Sequence, residues 1–301
     1  MKICSVTVWY NPDESNVGNI LTYSSLCKKC YVVDNSEADN SALAAKIPNA
    51  VYISNGGNLG IAAALNKGCQ MALDAGFEWC MTMDQDSSWD SEQAALYFSL
   101  CKDNAGEKNV SFCPSADYEM PRSFLGLAKR ACLSCLGLKK SCDAAAGAGE
   151  ERPQKTPMDC CITSGNVISL SAWKKIGGFY EPFFIDEVDH EFCFRLKEAG
   201  FEILKFENCK MNHVLGSPRR SFYPRVSHHA NERLYYIFRN MLFESRLHPE
   251  YFKKLNYGKQ LKARVKEIVF NFKFSQLYYL IKARSDFKKG RLGRFQKRGR
   301  S

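Results

Sequence analysis

The sequence predicts an α/β protein: a mostly parallel β-sheet sandwiched by helices, followed by a basic, helical C-terminal extension. Short apolar, β-branched runs without polar alternation recur through the first third of the chain, as strands buried on both faces do. Segments of helical periodicity separate them, the arrangement of βαβ units. Each of four runs ends on polar residues: Asn11, Asp34, the stretch Asn55 to Gly60, and Asp84 with Asp86. Ligands of such sheets bind beyond the carboxyl ends of the strands, so these four ends mark the candidate site.

Taken in order, Ile3 to Val8 is a strand closed by Trp9-Tyr10-Asn11-Pro12, a turn. Tyr31 to Val33 and Val51 to Ile53 are short strands, the second running into Asn55-Gly-Gly-Asn-Leu-Gly60. A helix follows from Ile61 to Ala75, with Ile61, Leu65, Ala72 and Leu73 on its apolar face and Gly76 as its stop. Trp79 to Met83 and Val110 to Cys113 are the next strands. From 118 to 157 the pattern gives way to a variable insertion, with a short basic amphipathic segment and then a small, polar loop. Phe201 to Phe206 is a strand leading to His213, and Arg233 to Asn240 reads as helical. The expected division is a domain over 1–246 and an extension over 247–301.

At 301 residues the chain is long enough for a large core, and 45% hydrophobic composition makes it globular. It has no apolar stretch of membrane-spanning length and no signal-peptide layout at Met1. Cys4, Cys80, Cys113 and Cys193 lie in apolar runs and read as small hydrophobes. The pairs Cys27/Cys30 and Cys132/Cys135 have no partner pair at finger-like spacing, which argues against zinc and for a reducing cytoplasm. The net charge of +10 is uneven: from Tyr251 onward there are sixteen Lys and Arg against Glu267 and Asp286. That surplus bears on partners, not on fold.

The densest chemistry lies in Phe184-Ile-Asp-Glu-Val-Asp-His-Glu-Phe-Cys-Phe-Arg195. Asp186, Glu187, Asp189 and Glu191 gather at the start of a helix, with Asp186 expected as N-cap and Asp189 as third helical residue. The plainer alternative is capping together with a Glu191–Arg195 pair one turn apart. Asp84-Gln-Asp86 suits a divalent cation carrying a diphosphate, or is an ordinary acidic turn. Asp34 either accepts a hydrogen bond from a base or ribose, or forms an Asx turn with Asn35-Ser36. The glycine-rich stretch ending at Gly60 offers backbone N–H groups to an anion. His213 is either structural or joins Asp86 as a metal ligand, whereas the adjacent His228 and His229 diverge and make a poor metal pair. Arg233 and Arg239 neutralise a diphosphate or form a solvated helix face.

The ordered set of motifs resembles a family 2 glycosyltransferase of the GT-A fold. It consists of Val8-Trp-Tyr-Asn-Pro12, Val32-Val-Asp-Asn-Ser36, Asn58-Leu-Gly-Ile-Ala-Ala-Ala-Leu-Asn-Lys-Gly68, Asp84-Gln-Asp-Ser87, Ser164-Gly-Asn166 and Ile176-Gly-Gly-Phe179 leading to Phe183-Phe-Ile-Asp186. Asp84-Gln-Asp-Ser87, Phe184 to Glu191 and Tyr235-Tyr-X-X-Arg-Asn240 resemble the bacterial rhamnosyltransferase branch. The resemblance runs from Ile3 to about Arg246.

It implies Asp189 as general base, with Asp186 or Glu191 as alternatives because Val188 stands where many relatives carry Glu. It implies donor binding by Tyr10, Asn11, Asp34, Asn58, Gly60, Asn66, Asp84, Arg233 and Arg239. Gly165, Asn166, Asp186 and Glu191 would meet the acceptor, and Asp86 and His213 would hold Mg²⁺ or Mn²⁺. The implied reaction is inverting transfer of rhamnose from dTDP-rhamnose to a polysaccharide or lipid-linked acceptor. The alternatives are a UDP-sugar (galactofuranose, galactose, glucose or GlcNAc), a nucleotidyltransferase, or a non-catalytic nucleotide- or nucleic-acid-binding protein. The extension, with apolar residues among its lysines and arginines, is expected either on the inner face of the plasma membrane or packed on the domain. RNA is the third option, without a recognised module.

Overall fold

A computed structural model describes residues 1–118, 155–213, 231–270 and 274–296. Most of the insertion expected at 118–157, with Cys132 and Cys135, lies outside the described residues, as do His228 and His229. Lys155–Met158 within it is a strand.

Strands β1 (Ile3–Trp9), β2 (Cys30–Asp34), β3 (Ala50–Ser54) and β4 (Trp79–Asp84) pair in parallel in the order β3-β2-β1-β4. Their residues face helices on both sides, which is why they lack polar alternation. Beyond β4 the sheet takes in antiparallel pairings as well, while most of its register stays parallel, as expected. It continues through β8 (Asn166–Ser169), β6 (Asn109–Tyr118), β9 (Glu202–His213) and β5 (Ser87–Ser88), with β7 (Lys155–Met158) also on β9. β8 runs antiparallel to both β4 and β6. The reversal is set at Gly165, where φ is +76° and an added Cβ would meet Pro114 at 2.8 Å and Met211 at 2.9 Å.

Helices α1 (Glu14–Ser24) and α4 (Ser91–Asn104) cover one face, with Ile20, Tyr23, Tyr97 and Met81 in that core. The short α2 (Ser41–Ala44) caps the same side through Ala44. Helices α3 (Ile61–Asp74), α5 (Leu170–Lys175) and α6 (Val188–Glu198) cover the other, burying Leu65, Cys69, Trp173 and Phe192. α3 ends where expected, at Gly76 with φ +72°.

Four further helices are described: α7 (Asn231–Leu247), α8 (Pro249–Lys254), α9 (Tyr257–Phe270) and α10 (Phe274–Lys288). α10 packs along α7. Tyr235 donates to Asp286 at 2.8 Å, Phe243 meets Phe287 edge to face, and the Arg246 guanidinium lies 4.3 Å from the Phe287 ring centre. Beyond α10, Gly293 N–H donates to Pro182 at 2.7 Å and Phe295 N–H to the Tyr236 hydroxyl at 2.7 Å. Much of the extension thus folds back on the domain. The cysteines of the described residues are free, mostly buried among apolar side chains. None of the described helices is long and apolar enough to cross a membrane.

Candidate active site

The ends of β1, β2, β3 and β4 and the loop at 182–187 converge on one cleft. At β1, Tyr10 is half exposed, and its backbone exchanges hydrogen bonds with the Gln85 side chain at 2.7 and 3.3 Å. Asn16 and Asn19 donate to the Gln85 carbonyl. The middle residue of Asp84-Gln-Asp86 is therefore pinned on both its side chain and its backbone. Ser164 donates to the Asp84 carboxylate at 2.7 Å, and its Oγ accepts the Asp84 N–H at 3.1 Å. Asp86 is exposed at the strand end.

Asp34 is fully buried. One carboxylate oxygen accepts from Ser36 N–H and Oγ, the other from Asn40 and the Tyr52 hydroxyl. This is the Asx turn, and it corrects the expectation of an open base-binding carboxylate: both oxygens are occupied. Its product is the loop itself, because Ser36 Oγ then accepts from Asn11, held at φ +49°. Asn58 likewise accepts from Gly60 N–H in a local turn.

The acidic stretch adopts a backbone that its sequence would not choose. Phe184, Asp186 and Glu187 have φ of +68°, +62° and +61°. Each costs on the order of 1–3 kcal/mol for a residue with a Cβ, so the surroundings must hold them. α7 does so. The Asn240 amide donates to the carbonyls of Phe183, Ile185 and Asp186 at 3.1, 2.9 and 2.8 Å. Arg239 donates to the carbonyls of Phe183 and Gly293 at 2.9 and 2.6 Å, with its guanidinium against the Tyr235 and Tyr236 rings. From the other side Ile61 N–H donates to the Phe184 carbonyl at 2.7 Å.

The consequence is a correction to the helix start. α6 begins at Val188 with Glu187 as a left-handed N-cap lacking a side-chain cap bond, so Asp189 is the second helical residue. Asp186 stands outside the helix and accepts from Arg233 at 2.9 Å. Burial pushes the Asp186 carboxyl up to about 6, with Arg233 pulling the other way. Asp84 and Asp86 also favour the Arg233 charge, so the guanidinium paired with Asp186 lies within electrostatic range of the end of β4. Burial opposes charge on His190, but Asp189 and Glu187 outweigh it and hold the imidazole protonated well above its usual range. Its Nδ1 lies 2.9 Å from Glu187 and also meets the Tyr257 hydroxyl of α9.

Several expected contacts do not face the cleft. Arg239 is wholly buried and bonded to backbone carbonyls, so it cannot meet a diphosphate. Glu191 is buried in a two-bond pair with Arg195, at 2.6 and 2.7 Å, and Arg195 also holds the carbonyls of Ile176 and Gly178. The plainer reading of that pair holds, and Glu191 is removed from the acceptor set. Asn166 is buried and bonded to Ser111 at 2.8 Å, and Gly165 is buried beside it, so neither is placed to touch an acceptor. Asn66 latches α3 to the 178–181 turn through Phe179, Trp173 and Glu181. Of the expected residues, Asp186 and Arg233 are joined directly, Tyr10, Asn11, Asp84 and Asp86 lie at the ends of β1 and β4, and Asp189 opens the helix that follows Asp186.

A divalent cation fits the donor set at the end of β4. Two carboxylates stand one residue apart, and the strand register sets the His213 backbone opposite Ser87, next to Asp86. Among the described side chains no three His, Cys, Asp or Glu gather into a closed cage. Few protein ligands with room for phosphate oxygens is the usual arrangement for Mg²⁺.

Sequence reasoning missed three supports: Gln85 on Tyr10, Ser164 on Asp84, and Asn240 on the acidic loop. Ser164 and Asn240 sat in recognised motifs without an assigned role. The signal for Asn240 was its position beside Arg239 on a helix whose next inward turn carries Glu244.

Residues 21–104 match Glycosyl transferase family 2, and the fold of the chain is similar to that of GT-A glycosyltransferases. Its sequence is 28% identical over 247 residues to the dTDP-rhamnosyl transferase RfbF of Shigella flexneri, covering 79% of this chain and 78% of that one. Its fold is similar to GalNAc-T7, crystallised with UDP, GalNAc and Mn²⁺ (TM-score 0.52, 12% identity), and to S. aureus TarS 1-349 (TM-score 0.51, 13% identity). It covers 79% and 81% of its own length in those matches but only 47% and 65% of theirs.

Proposed function

We propose that the chain is an inverting, metal-dependent transferase that moves rhamnose from dTDP-rhamnose to a hydroxyl of a polysaccharide or lipid-linked acceptor. The observation that carries this reading is Arg233, paired with Asp186 and within electrostatic range of Asp84 and Asp86. It brings an acidic loop with a helical carboxylate, Asp189, to the strand end that suits a diphosphate. The rhamnosyl transferase relative supports the donor.

In this reading Tyr10 and Asn11 border the nucleotide, and Arg233 faces the diphosphate. Asp86 and His213 would hold Mg²⁺ or Mn²⁺ beside Asp84, and the ion would supply positive charge to the departing nucleoside diphosphate. The Asp189 carboxylate takes the proton of the acceptor hydroxyl. That oxygen forms a bond to the sugar C1 as the C1–O bond to the diphosphate breaks on the opposite face, inverting the anomeric centre. Asp186, which accepts from Arg233, lies beside the acceptor.

Thermal shift with a panel of nucleotides and sugar nucleotides, with and without Mn²⁺, tests it. Ligand binding to the native state raises Tm. A metal-dependent rise with dTDP or dTDP-rhamnose that disappears in Asp86→Ala is expected. A rise with UDP-sugars instead discards rhamnose and keeps the transferase. No rise with any nucleotide in folded protein overturns the reading.

The extension supports a peripheral membrane contact, which would suit a lipid-linked acceptor. Val265 and Val269 on α9 and Tyr278 and Ile281 on α10 are exposed, with Lys262, Lys266 and Arg284 nearby in sequence. Flotation with vesicles of anionic lipid, compared with neutral vesicles, checks this. Ile281→Glu is expected to abolish co-flotation, and binding to neither vesicle would remove the membrane from the reading.

A further inference from the structure

Glu244 is fully buried on α7, one helical turn after Asn240, and the function proposed above makes no use of it. Neither carboxyl oxygen meets an N–H or O–H donor. Asn240, one turn before it, donates to the Asp186 carbonyl at 2.8 Å, and His248, one turn after it, lies 3.8 Å from Glu191, so Glu244 faces the first turn of α6, where Glu187, Asp189 and Glu191 act on it. Two carboxylates cannot share a hydrogen bond unless one carries a proton. Glu187 is the ionised partner, because it already accepts from His190, whose other neighbouring charge is Asp189. The proton therefore belongs to Glu244, the member without any cation. Burial and the surrounding negative charges act in the same direction, pushing its carboxyl well above the usual range.

We propose that Glu244 is a neutral carboxylic acid whose O–H donates to Glu187, making it a positioning residue for Asp189. Glu187 is the left-handed N-cap of α6 and has no cap bond of its own to fix its side chain. Anchored by Glu244 and His190, it sets where the first turn of the helix begins, and with it the direction of the Asp189 carboxylate. The inference rests on Asp189 as the base for its effect on turnover. The protonation of Glu244 stands independently of that.

Three variants test it. The Gln amide of Glu244→Gln donates to Glu187 without needing a proton, so this variant is expected to keep kcat and its pH profile close to wild type. Glu244→Ala removes the donor and is expected to lower kcat on the order of tenfold to a hundredfold with donor KM unchanged. Glu244→Asp, whose shorter side chain falls short of Glu187, is expected to follow Ala and replaces it if Ala fails to fold. A folded Glu244→Gln as impaired as Ala would overturn the neutral-donor assignment, and a fully active Glu244→Ala or Glu244→Asp would overturn the positioning role.

A second measurement needs no activity. Wild-type Tm is expected to fall from pH 5 to 9 more steeply than that of Glu244→Gln, since the folded state holds a proton the unfolded chain releases. Equal slopes would overturn the protonation. Loss of transferase activity from every donor, with the slopes still different, would fault the function and not Glu244.

Discussion

The donor side and the acceptor side of the cleft bind their polar groups by opposite means. At the ends of β2 and β3, Asp34 and Asn58 sit in turns closed by residues two positions away, and Asn11 is tied across to Ser36, so the two turns follow from local chemistry. At 182–187 a local bond from Ile185 N–H to Phe183 closes around Phe184, but the positive φ of Asp186 and Glu187 has no such bond among those described, and the loop is held by Arg239 and Asn240 from a helix some fifty residues on. One side is an outcome of its own sequence; the other is imposed. Function separates along the same line, with binding expected on the self-made side and proton removal on the imposed side.

The largest effect expected is on the imposed side. Asp189→Asn should lower kcat by about 10²–10⁴, the range for removing a general base, while the thermal shift with nucleotide stays as in wild type. Equal loss of nucleotide binding would break the division between the two sides. Asn240→Ala comes next. It strands the partly buried carbonyls of Ile185 and Asp186, while Phe183 keeps Arg239, and should cost about 3 kcal/mol in urea unfolding. The variant that still folds should lose turnover more than nucleotide binding.

Arg233→Ala sharpens the comparison because Arg233 alone spans both sides. Its pair with Asp186 is about half exposed on the arginine, so the stability change should stay below about 1 kcal/mol. Nucleotide binding by calorimetry should nevertheless weaken, and unchanged affinity would remove Arg233 from the donor set. The smallest effect concerns pH. Asp186 is raised to about 6 in the fold against 3.8 ordinarily, so the folded state retains a proton that the unfolded chain gives up. Stability from this group is full below about pH 4 and declines as pH rises through 6. Asp186→Asn should flatten the Tm profile across that window, and an unchanged slope would contradict the assignment.

The same contrast explains what was legible in the sequence. Strands β1 to β4 and the end of α3 could be read because burial on two faces and a glycine stop leave local marks, and Asp84 with Asp86 follows from them. The antiparallel return of β8 could not be read, since Gly165 is needed there for contacts with Pro114 and Met211 far along the chain. Arg239 looked like an anion ligand because a charged residue on a helix gives no sign that carbonyls will surround it. Glu191 and Arg195, one turn apart, were readable as a pair, and the burial of Glu191 decides that its part is structural. Glu244 left no mark at all: an acid on an amphipathic helix is ordinary until three other acids are found facing it.

Gly293 gives the acidic loop its last support. Its N–H reaches Pro182 and its carbonyl takes a hydrogen from Arg239. The first contact joins residues more than a hundred positions apart, so the ribosome finishes the loop long before it makes the strap that secures it. During synthesis the nucleotide-binding half can fold while the half that removes the proton is still unlatched. A nascent chain would then hold a sugar nucleotide before it could spend one, and competence would arrive as a late event in the life of each molecule.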